Sequence, residues 1–421
     1  MSAERQLAAL ELAERARVAS RAVSRSSSEQ RARALQALAD RLDSAQLASA
    51  METANAADLR GAGSETAAFL DRLRLDRARL SALAKGVRAV AALPDPVGEV
   101  VERTTRPNGL QVERVRAPLG VVLMIYESRP GVTADAAALC IRSGNAVLLR
   151  GGSEALQSSS VLVEACQRAL EAARLPEDAV QLVPPDRDLL DELLQQDERI
   201  DLCIPRGGPS LIRFVAERSR IPVVKHYQGV CHLYVAADAD LGQAERIAVN
   251  AKAQRPGVCN ALECLLVDAR VASEALPRLG RALRDAGVEL RADGRALPHL
   301  RGLGAIAAVP EDFGREFLDL KLAVAVVDGI EGALGHIARY GSRHTEAICT
   351  RDPQLAERFV REVDASCTVV NASTRFNDGG ELGLGAELGI STSKLHAYGP
   401  MGVRELTCTR FVVRGDGQVR K

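Results

Sequence analysis

One cysteine of this chain lies in a setting that suits a nucleophile. The segment KAQRPGVCNALE (252–263) places Cys259 after a Pro-Gly pair and directly before Asn260. A turn of this kind can present backbone N–H groups to an anion, which would stabilise a thiolate and an oxyanion formed on its target. Arg255 adds positive charge four residues upstream. On spacing alone, the alternative of a buried core thiol stays open.

The other eight cysteines lie in less distinctive settings. Cys203 stands beside a turn of arginine and glycine, and Cys367 follows a predicted helix. No two cysteines have the C-x-x-C spacing, so we expect neither a disulfide framework nor a bound metal, and we expect a reducing cytoplasm. Six cysteines fall inside apolar runs and are predicted to be small core side chains: Cys140, Cys166, Cys231, Cys264, Cys349 and Cys408.

Composition and charge argue against some classes of binding partner, namely nucleic acid and membranes. The length of 421 residues predicts two or three domains, and 47% apolar with 26% charged residues is ordinary for a globular protein. Lys and Arg total 55, as do Asp and Glu, so the net charge favours neither nucleic acid nor an anionic membrane. The charged N-terminus lacks the apolar core of a secretory signal, and apolar runs such as LGVVLMIY are far shorter than the roughly 20 residues that span a bilayer.

The periodicity of apolar residues predicts the elements that must position these groups. The first ninety residues are predicted to be helical, with capping residues in SSSEQ (26–30). Alternating segments around Pro107-Asn108-Gly109 predict an antiparallel hairpin, whose edges invite pairing with another subunit. From residue 119 strands alternate with helices up to IPVVKH (221–226), and a second such series begins after 255. This alternation predicts two doubly wound α/β lobes with the site in the cleft between them.

Two glycine pairs follow predicted strands and open predicted helices. They are Gly151-Gly152 after Arg150 and Gly207-Gly208 after Arg206. A helix N-terminus beside an arginine suits a phosphate, although an ordinary β–α turn also uses glycine. The dinucleotide fingerprint G-x-G-x-x-G is absent from the sequence. His344 lies in the polar turn YGSRHTEAI and would either orient a substrate or cap a helix end.

Several long segments resemble the gamma-glutamyl phosphate reductases, the phosphate-specific branch of the aldehyde dehydrogenase superfamily. The resemblance runs from about residue 70 to 406 and implies an aldehyde-dehydrogenase-like fold with a β oligomerisation arm. It also implies NADPH-dependent reduction of L-glutamate 5-phosphate to L-glutamate 5-semialdehyde and phosphate, the second step of proline biosynthesis. The segments that carry it are RPGVCNALE, YESRPGVTADAAALCIRSGNAVLLRGGSEA, IPRGG, HYQGVCHLYV, YGSRHTEAI and NASTRFNDGGELGLGAELGISTSKLHAYGPMG.

The resemblance also implies roles for the residues around Cys259. Cys259 falls on the catalytic cysteine, which attacks the acyl phosphate, releases phosphate and holds a thioester that accepts hydride. Hydrolytic relatives carry a glutamate that activates water, but HYQGV (226–230) offers His226 or Tyr227 at that place. Ser128 replaces the asparagine that usually binds the oxyanion, so Ser128 and Asn260 remain as alternative donors beside the Cys259 backbone N–H.

Cofactor and substrate contacts follow from the same resemblance and from the chemistry of the ligands. Arg150 corresponds to a ribose-contacting lysine and suits the 2′-phosphate of NADPH. Gly207 and Gly208 fall where the pyrophosphate passes, and Glu316 matches a glutamate that holds the nicotinamide ribose. For the substrate, we expect Arg255 to bind phosphate and Arg375 to grip the α-carboxylate, with Asp378 or Glu381 on the ammonium.

The expected organisation is a homo-oligomer, a dimer or a tetramer. Residues 1–104 and 125–253 are predicted to bind NADPH, residues 254–390 to form the catalytic domain, and residues 105–124 and 391–421 to form the arm. A separate glutamate 5-kinase is an expected transient partner. The alternatives are a reductase of another acyl phosphate or of an acyl-CoA, or a nucleotide-binding subunit without catalysis.

Overall fold

The N-terminal region is helical, as its periodicity predicts. The computed structural model describes residues 3–63, 65–225 and 227–420. The Ser27 hydroxyl accepts a hydrogen bond from the backbone N–H of Gln30 and so caps the second helix. Ser44, Thr66 and Asp76 cap the next three helices in the same way. The helices are α1 (Ala3–Arg25), α2 (Ser28–Leu42), α3 (Ala45–Gly61), α4 (Ala67–Leu73) and α5 (Arg77–Ala92).

A four-stranded parallel sheet forms the first α/β layer. Its strand order is β5-β4-β3-β6, so the chain runs outward from β3 and then returns to its other side. The residues of β3 are buried throughout, as expected for a parallel strand covered on both faces. The strands are β3 (Val121–Tyr126), β4 (Ala146–Arg150), β5 (Val180–Leu182) and β6 (Leu202–Arg206). The helices are α6 (Val132–Arg142), α7 (Leu156–Ala172), α8 (Arg187–Leu193) and α9 (Pro209–Arg218).

A seven-stranded parallel sheet forms the second α/β layer. Its order is β10-β9-β11-β8-β7-β12-β13. The strands are β7 (Cys231–Val235), β8 (Leu262–Asp268), β9 (Glu289–Ala292), β10 (Ile306–Ala307), β11 (Lys321–Val327), β12 (Thr345–Cys349) and β13 (Cys367–Val370). The helices are α10 (Leu241–Ala253), α11 (Ala272–Asp285), α12 (Leu297–Leu300), α13 (Gly329–Tyr340) and α14 (Pro353–Glu362). The two parallel layers confirm the predicted aldehyde-dehydrogenase-like α/β fold.

A small antiparallel sheet is separate from both parallel sheets and includes parts of both segments predicted to form the arm, a name kept below for this sheet. Strands β1 (Val100–Thr105) and β2 (Gln111–Pro118) form the predicted hairpin around Pro107-Asn108-Gly109. Gly109 takes a φ of 87°, a left-handed conformation that favours glycine. The C-terminal strand β16 (Thr407–Arg414) pairs with β2 and completes the sheet. Two short strands, β14 (Ile390–Ser391) and β15 (Gly399–Pro400), pair with each other before it.

Several details differ from the sequence-based expectations. The segment 221–225 forms only an isolated bridge between Val223 and Cys203. Cys408 is exposed, because its strand belongs to the arm and has no core beneath that face. Strand β7 lies between β8 and β12, so the boundary predicted at residue 254 cuts through the second layer. Among the described residues, no helix combines the length and the apolar character that crossing a membrane requires.

Candidate active site

The carboxyl ends of three parallel strands bring the predicted cofactor residues to one edge of the first sheet. Strand β3 pairs with β4 and β6, so residues that follow these strands meet at the same edge. Ser128, Arg150 and the Gly207-Gly208 pair all lie there. Because β3 is the strand where the chain order reverses, this edge is the topological switch point where α/β sheets bind ligands.

Two carboxylates that the sequence did not indicate line this edge. Glu127 accepts a hydrogen bond from the backbone N–H of Gly208 at 2.9 Å, at the start of α9. A side chain at Gly207 would displace the same carboxylate, so the glycine lets Glu127 lie close to the backbone here. Burial lowers the pKa of Arg150, while Glu154 and Glu127 oppose that change. Arg150 therefore carries its charge between two carboxylates.

Ser128 takes a strained conformation that Glu154 holds in place. Its φ is 51°, in the left-handed region that residues with a side chain rarely adopt. The backbone N–H and the hydroxyl of Ser128 both donate to Glu154 Oε1, at 2.7 and 3.1 Å. The single hydroxyl hydrogen of Ser128 is therefore already used, which weakens its case as an oxyanion donor.

Cys259 lies on the turn between α10 and β8, with its backbone enclosed by a neighbouring loop. A side chain at Gly229 would overlap the Cys259 backbone, so the two chains are in direct contact. The Cys231 thiol, at the start of β7, donates to the Cys259 carbonyl oxygen at 3.2 Å. The Cys259 carbonyl is therefore held from the core side, and the Cys259 side chain is half-buried.

Asn260 is the best-anchored side chain of the site. Its Nδ2 donates to the Asn377 carbonyl oxygen at 2.8 Å, and the backbone carbonyl of Asn260 accepts from the Thr374 hydroxyl at 2.7 Å. Arg375 donates to Asn260 Oδ1 and also to Gln254 Oε1, the latter at 2.8 Å. One N–H of the Asn260 amide remains for another acceptor, because a primary amide carries two.

Charge around Cys259 comes from both sheets. Burial raises the pKa of Cys259 to about 11, and the positive charges of Arg206 and Arg129 oppose that rise. The carboxylates Glu316 and Glu387 act in the opposite direction and raise it. Arg206 ends β6 of the first sheet, so the thiol lies where the two α/β layers meet.

Arg129 is a residue that the sequence argument missed, although a signal was present. The motif Arg-Pro-Gly-Val occurs twice, at 129–132 and at 255–258, the second time directly before Cys259. The structure brings both arginines into one electrostatic neighbourhood, since burial lowers the pKa of Arg129 and the positive charges of Arg206 and Arg255 lower it further. Arg255 likewise lowers the pKa of Arg375. Arg129, Arg206 and Arg375 thus interact electrostatically with Cys259, and Arg255 lies near two of them, a setting suited to a substrate with several negative charges.

The remaining predicted residues divide into those near Cys259 and one that is not accessible. Glu316 accepts a backbone hydrogen bond from Gly229, and burial raises its pKa. Burial lowers the pKa of Arg375, and the negative charges of Asp378 and Glu381 oppose that change, so both carboxylates lie near that arginine. His344 is fully buried, with Nδ1 at 2.7 Å from Thr345 Oγ1 and 3.6 Å from Cys231 Sγ. His344 therefore packs against Cys231, behind Cys259, and its contact with the substrate stays a prediction.

The structure describes only part of the segment HYQGV (226–230), which is predicted to lack a catalytic base. His226 lies outside the described residues. Tyr227 is exposed, and Gly229 contacts Cys259. In the described part of this segment, residues 227–230, the sequence is Tyr-Gln-Gly-Val and offers no carboxylate.

Comparison with known proteins identifies the family of this chain. The aldehyde dehydrogenase family model matches residues 2–294. Gamma-glutamyl phosphate reductase from Anaeromyxobacter sp. (strain K) is 58% identical over 412 residues, covering 97% of this chain and 96% of that protein. The enzyme of the same name from Anaeromyxobacter sp. (strain Fw109-5) is 60% identical over 415 residues, covering 97% and 96%. The crystal structure of the Thermotoga maritima gamma-glutamyl phosphate reductase superposes with a TM-score of 0.94 at 40% identity, covering 98% of this chain and 100% of that one. This chain therefore belongs to the aldehyde dehydrogenase family and, within it, to the gamma-glutamyl phosphate reductases.

Proposed function

We propose that this chain reduces L-glutamate 5-phosphate to L-glutamate 5-semialdehyde and phosphate, with Cys259 as the nucleophile and NADPH as the reductant. The observation that carries the proposal is the half-buried Cys259 thiol among Arg129, Arg206 and two further arginines. A thiol in that setting suits acyl transfer from a substrate that carries both a phosphate and a carboxylate.

Acyl transfer requires the thiolate of Cys259, and burial disfavours this charged form. The positive charges of Arg206 and Arg129 offset part of that penalty and favour the thiolate. The thiolate attacks the acyl carbon, the bond from that carbon to the phosphate oxygen breaks, and phosphate leaves with its electron pair. Arg255 would bind the departing phosphate, and Arg375 would hold the α-carboxylate, beside Asp378 and Glu381 for the ammonium.

The thioester on Cys259 is then reduced rather than hydrolysed. A nicotinamide cofactor, which family membership implies, supplies the hydride when it is bound. The Cys259 backbone N–H and the remaining Asn260 N–H would hold the resulting oxyanion, which collapses to the aldehyde and releases the thiolate. No carboxylate in residues 227–230 is available to activate water against the thioester.

Cofactor binding is assigned to the switch-point edge of the first sheet. The pyrophosphate of the cofactor would lie against Gly207 and Gly208 at the start of α9, and Glu316 would hold the nicotinamide ribose. Arg150 favours NADPH through the 2′-phosphate. Glu127 and Glu154 flank Arg150, and their carboxylates would equally suit ribose hydroxyls. The preference between NADPH and NADH is therefore part of the test.

The roles of the two layers, the assembly, the location and the partner enzyme are proposed on the same basis. The first sheet with its helices would bind the cofactor, the second would carry the chemistry, and the arm would join copies of the chain into a dimer or tetramer. The expected location is the cytoplasm. A glutamate 5-kinase would supply the unstable acyl phosphate, which favours a transient contact between the two enzymes.

The reverse reaction tests the proposal directly. Glutamate 5-semialdehyde, NADP+ and phosphate are mixed with the wild type or with Cys259→Ser, and NADPH formation is followed. The wild type should form NADPH only when phosphate is present, and more rapidly than it forms NADH from NAD+. Cys259→Ser should be inactive, and full activity in that variant would exclude Cys259 as the nucleophile. Cys203→Ser, in the first sheet, serves as a matched control that should remain active.

The same assay separates the alternatives. Activity with coenzyme A in place of phosphate would identify an acyl-CoA reductase. Activity with phosphate but a preference for another aldehyde would identify a different acyl phosphate as the substrate. A chain that binds NADP+ but turns over none of these substrates would be a nucleotide-binding subunit, and the proposed function would be wrong.

A further inference from the structure

A second cluster of chemically reactive side chains lies inside the seven-stranded sheet. His232 on β7, Cys264 on β8 and His336 on α13 each place one ligand atom within 4.8 Å of the others. His232 and Cys264 are paired across the ladder between the two strands. None of the three has a role in the proposed reaction. Their spacing in the sequence gave no indication of the cluster, since each residue comes from a different element.

Two ring nitrogens of this cluster make no hydrogen bond of ordinary geometry among the described residues, although the His232 ring interacts with the neighbouring Cys264 thiol. His232 is fully buried, and its Nδ1 lies 2.9 Å from Glu346 Oε2, which leaves Nε2 as its remaining ring nitrogen. That Nε2 makes no hydrogen bond of ordinary geometry, and neither does Nδ1 of His336. Leaving buried polar atoms unpaired is unfavourable, so native structures normally supply a partner. Here one bound cation would serve both nitrogens.

The surroundings of His232 match those of a metal-bound imidazole. Histidines that bind metals usually donate their other ring N–H to a carboxylate, which fixes the tautomer and makes the ligand more basic. Glu346 stands in that position and also accepts the backbone N–H of His232 at 3.1 Å. His232 is thereby oriented with Nε2 away from Glu346 and available as a ligand.

The donor set decides which cation suits the cluster. We propose that His232, Cys264 and His336 bind a single Zn²⁺ ion, which accepts sulfur and imidazole ligands together. Ligand atoms around tetrahedral zinc are separated by roughly 3.3 to 3.5 Å, as its bond lengths require. The cluster must therefore contract by up to about 1.5 Å from the 4.8 Å limit. His336 is half-buried on α13, so rotation of its side chain offers both that contraction and a path for entry.

Zinc at this position would connect three elements of the second layer. It would join the adjacent strands β7 and β8 to α13, where Phe313 and Tyr340 pack against the His336 ring. The same β7 begins with Cys231, whose thiol holds the Cys259 carbonyl. The ion would thus stabilise the layer that positions the nucleophile, without contacting the reacting atoms.

Direct binding of Zn²⁺ tests the inference on the full-length chain. Protein purified without chelator is titrated with Zn²⁺ against a chromophoric chelator, and Co²⁺ is used to look for a thiolate-to-metal charge-transfer band. All proteins carry Cys408→Ser, because that exposed thiol is a competing ligand. The wild-type site should bind one ion per chain and raise the unfolding temperature. Cys264→Ser and His336→Gln should each weaken binding at least about tenfold, the smallest effect found even for outer-shell partners.

Matched variants make the result decisive. Cys203→Ser removes a buried thiol from the first sheet, and His299→Gln removes an exposed histidine from the second layer, so both should bind Zn²⁺ as the wild type does. No stoichiometric binding would overturn the proposal, as would equal binding in Cys264→Ser and His336→Gln, which would indicate adventitious binding at other thiols. If Cys264→Ser fails to fold, the half-buried His336→Gln variant decides alone. Loss of binding in either control would also overturn the proposal.

Discussion

Gly229 lies in direct contact with the backbone of Cys259. A Cβ atom built on Gly229 would lie 2.7 Å from the Cys259 carbonyl carbon and 2.8 Å from its Cα, closer than such atoms ever approach. The loop before β7 and the turn that carries Cys259 therefore fit together only when residue 229 has no side chain. The contact also brings Glu316, which accepts the Gly229 N–H, to the same place.

Substituting Gly229 should displace the nucleophile. In Gly229→Ala, the added methyl group must push the Cys259 turn away, and a shift of about 1 Å in a reacting group can reduce turnover roughly a hundredfold. Steady-state kinetics should show that kcat falls while the protein stays folded. Gly335→Ala on α13 adds a methyl group with no atom within 4 Å and should keep full activity. Unchanged turnover in Gly229→Ala would show that the turn accommodates the methyl group.

The reactivity of Cys259 should depend on pH and on Arg206. Burial raises the pKa of Cys259 to about 11, so below that pH its alkylation rate should increase roughly tenfold per pH unit as the thiolate forms. Arg206 lowers this pKa, so Arg206→Gln should raise it and slow alkylation several-fold at pH 8. Peptide mass spectrometry should follow Cys259 itself, because Cys408 is also exposed. Arg213→Gln, an exposed residue of α9, should react like the wild type, and equal rates in both variants would exclude Arg206 as the stabilising charge.

Asn260 and Ser128 are the two alternative oxyanion donors, and substitution should distinguish them. Asn260 retains one amide N–H, whereas the Ser128 hydroxyl already donates to Glu154. Loss of an oxyanion donor typically lowers kcat by about 10²–10³-fold, so we expect that loss in Asn260→Ala and a much smaller one in Ser128→Ala. Comparable KM values would show that substrate still binds. The reverse order of effects would assign the role to Ser128.

The buried pair Lys252–Glu263 should control the stability of the second layer. Lys252 Nζ lies 2.7 Å from Glu263 Oε2, and both side chains are fully buried. Lys252→Met leaves the Glu263 carboxylate unpaired and should lower the free energy of unfolding by about 3–5 kcal/mol. Adding Glu263→Gln should recover much of that loss. Urea unfolding checks both, with Arg278→Met, which breaks an exposed pair with Glu245, expected to unfold like the wild type.

The arm should hold copies of the chain together. Strands β1 and β16 form the two edges of the three-stranded sheet in the described part of the chain, and Phe411 and Val413 on β16 are exposed. Such apolar edges favour pairing with another subunit. Phe411→Asp combined with Val413→Asp should convert the oligomer to a monomer in light scattering. Leu7→Asp, an exposed apolar residue of α1, should not, and a monomeric wild type would contradict the proposed assembly.

The sequence alone determined the secondary-structure elements and singled out Cys259 as the candidate nucleophile, because both signals are encoded locally. Apolar periodicity and capping residues depend on near neighbours, so the helical start, the hairpin at Pro107-Asn108-Gly109 and the two parallel layers could be predicted. The turn around Cys259 was recognisable for the same reason, since its Pro-Gly pair is adjacent in the chain. The repeated Arg-Pro-Gly-Val motif was also readable, but one copy gave no indication that it approached the other.

Only the tertiary structure decided which distant side chains act together. Arg206 ends a strand of the first sheet yet faces a cysteine of the second, because the two layers meet there. His344 lies in a polar stretch of sequence, but strand pairing buries it behind Cys231, and Cys408 is exposed because the arm gives its strand no core. His232, Cys264 and His336 come together only through the pairing of β7 with β8 and the packing of α13. Such contacts depend on how whole elements pack, and local patterns in the chain do not record that packing.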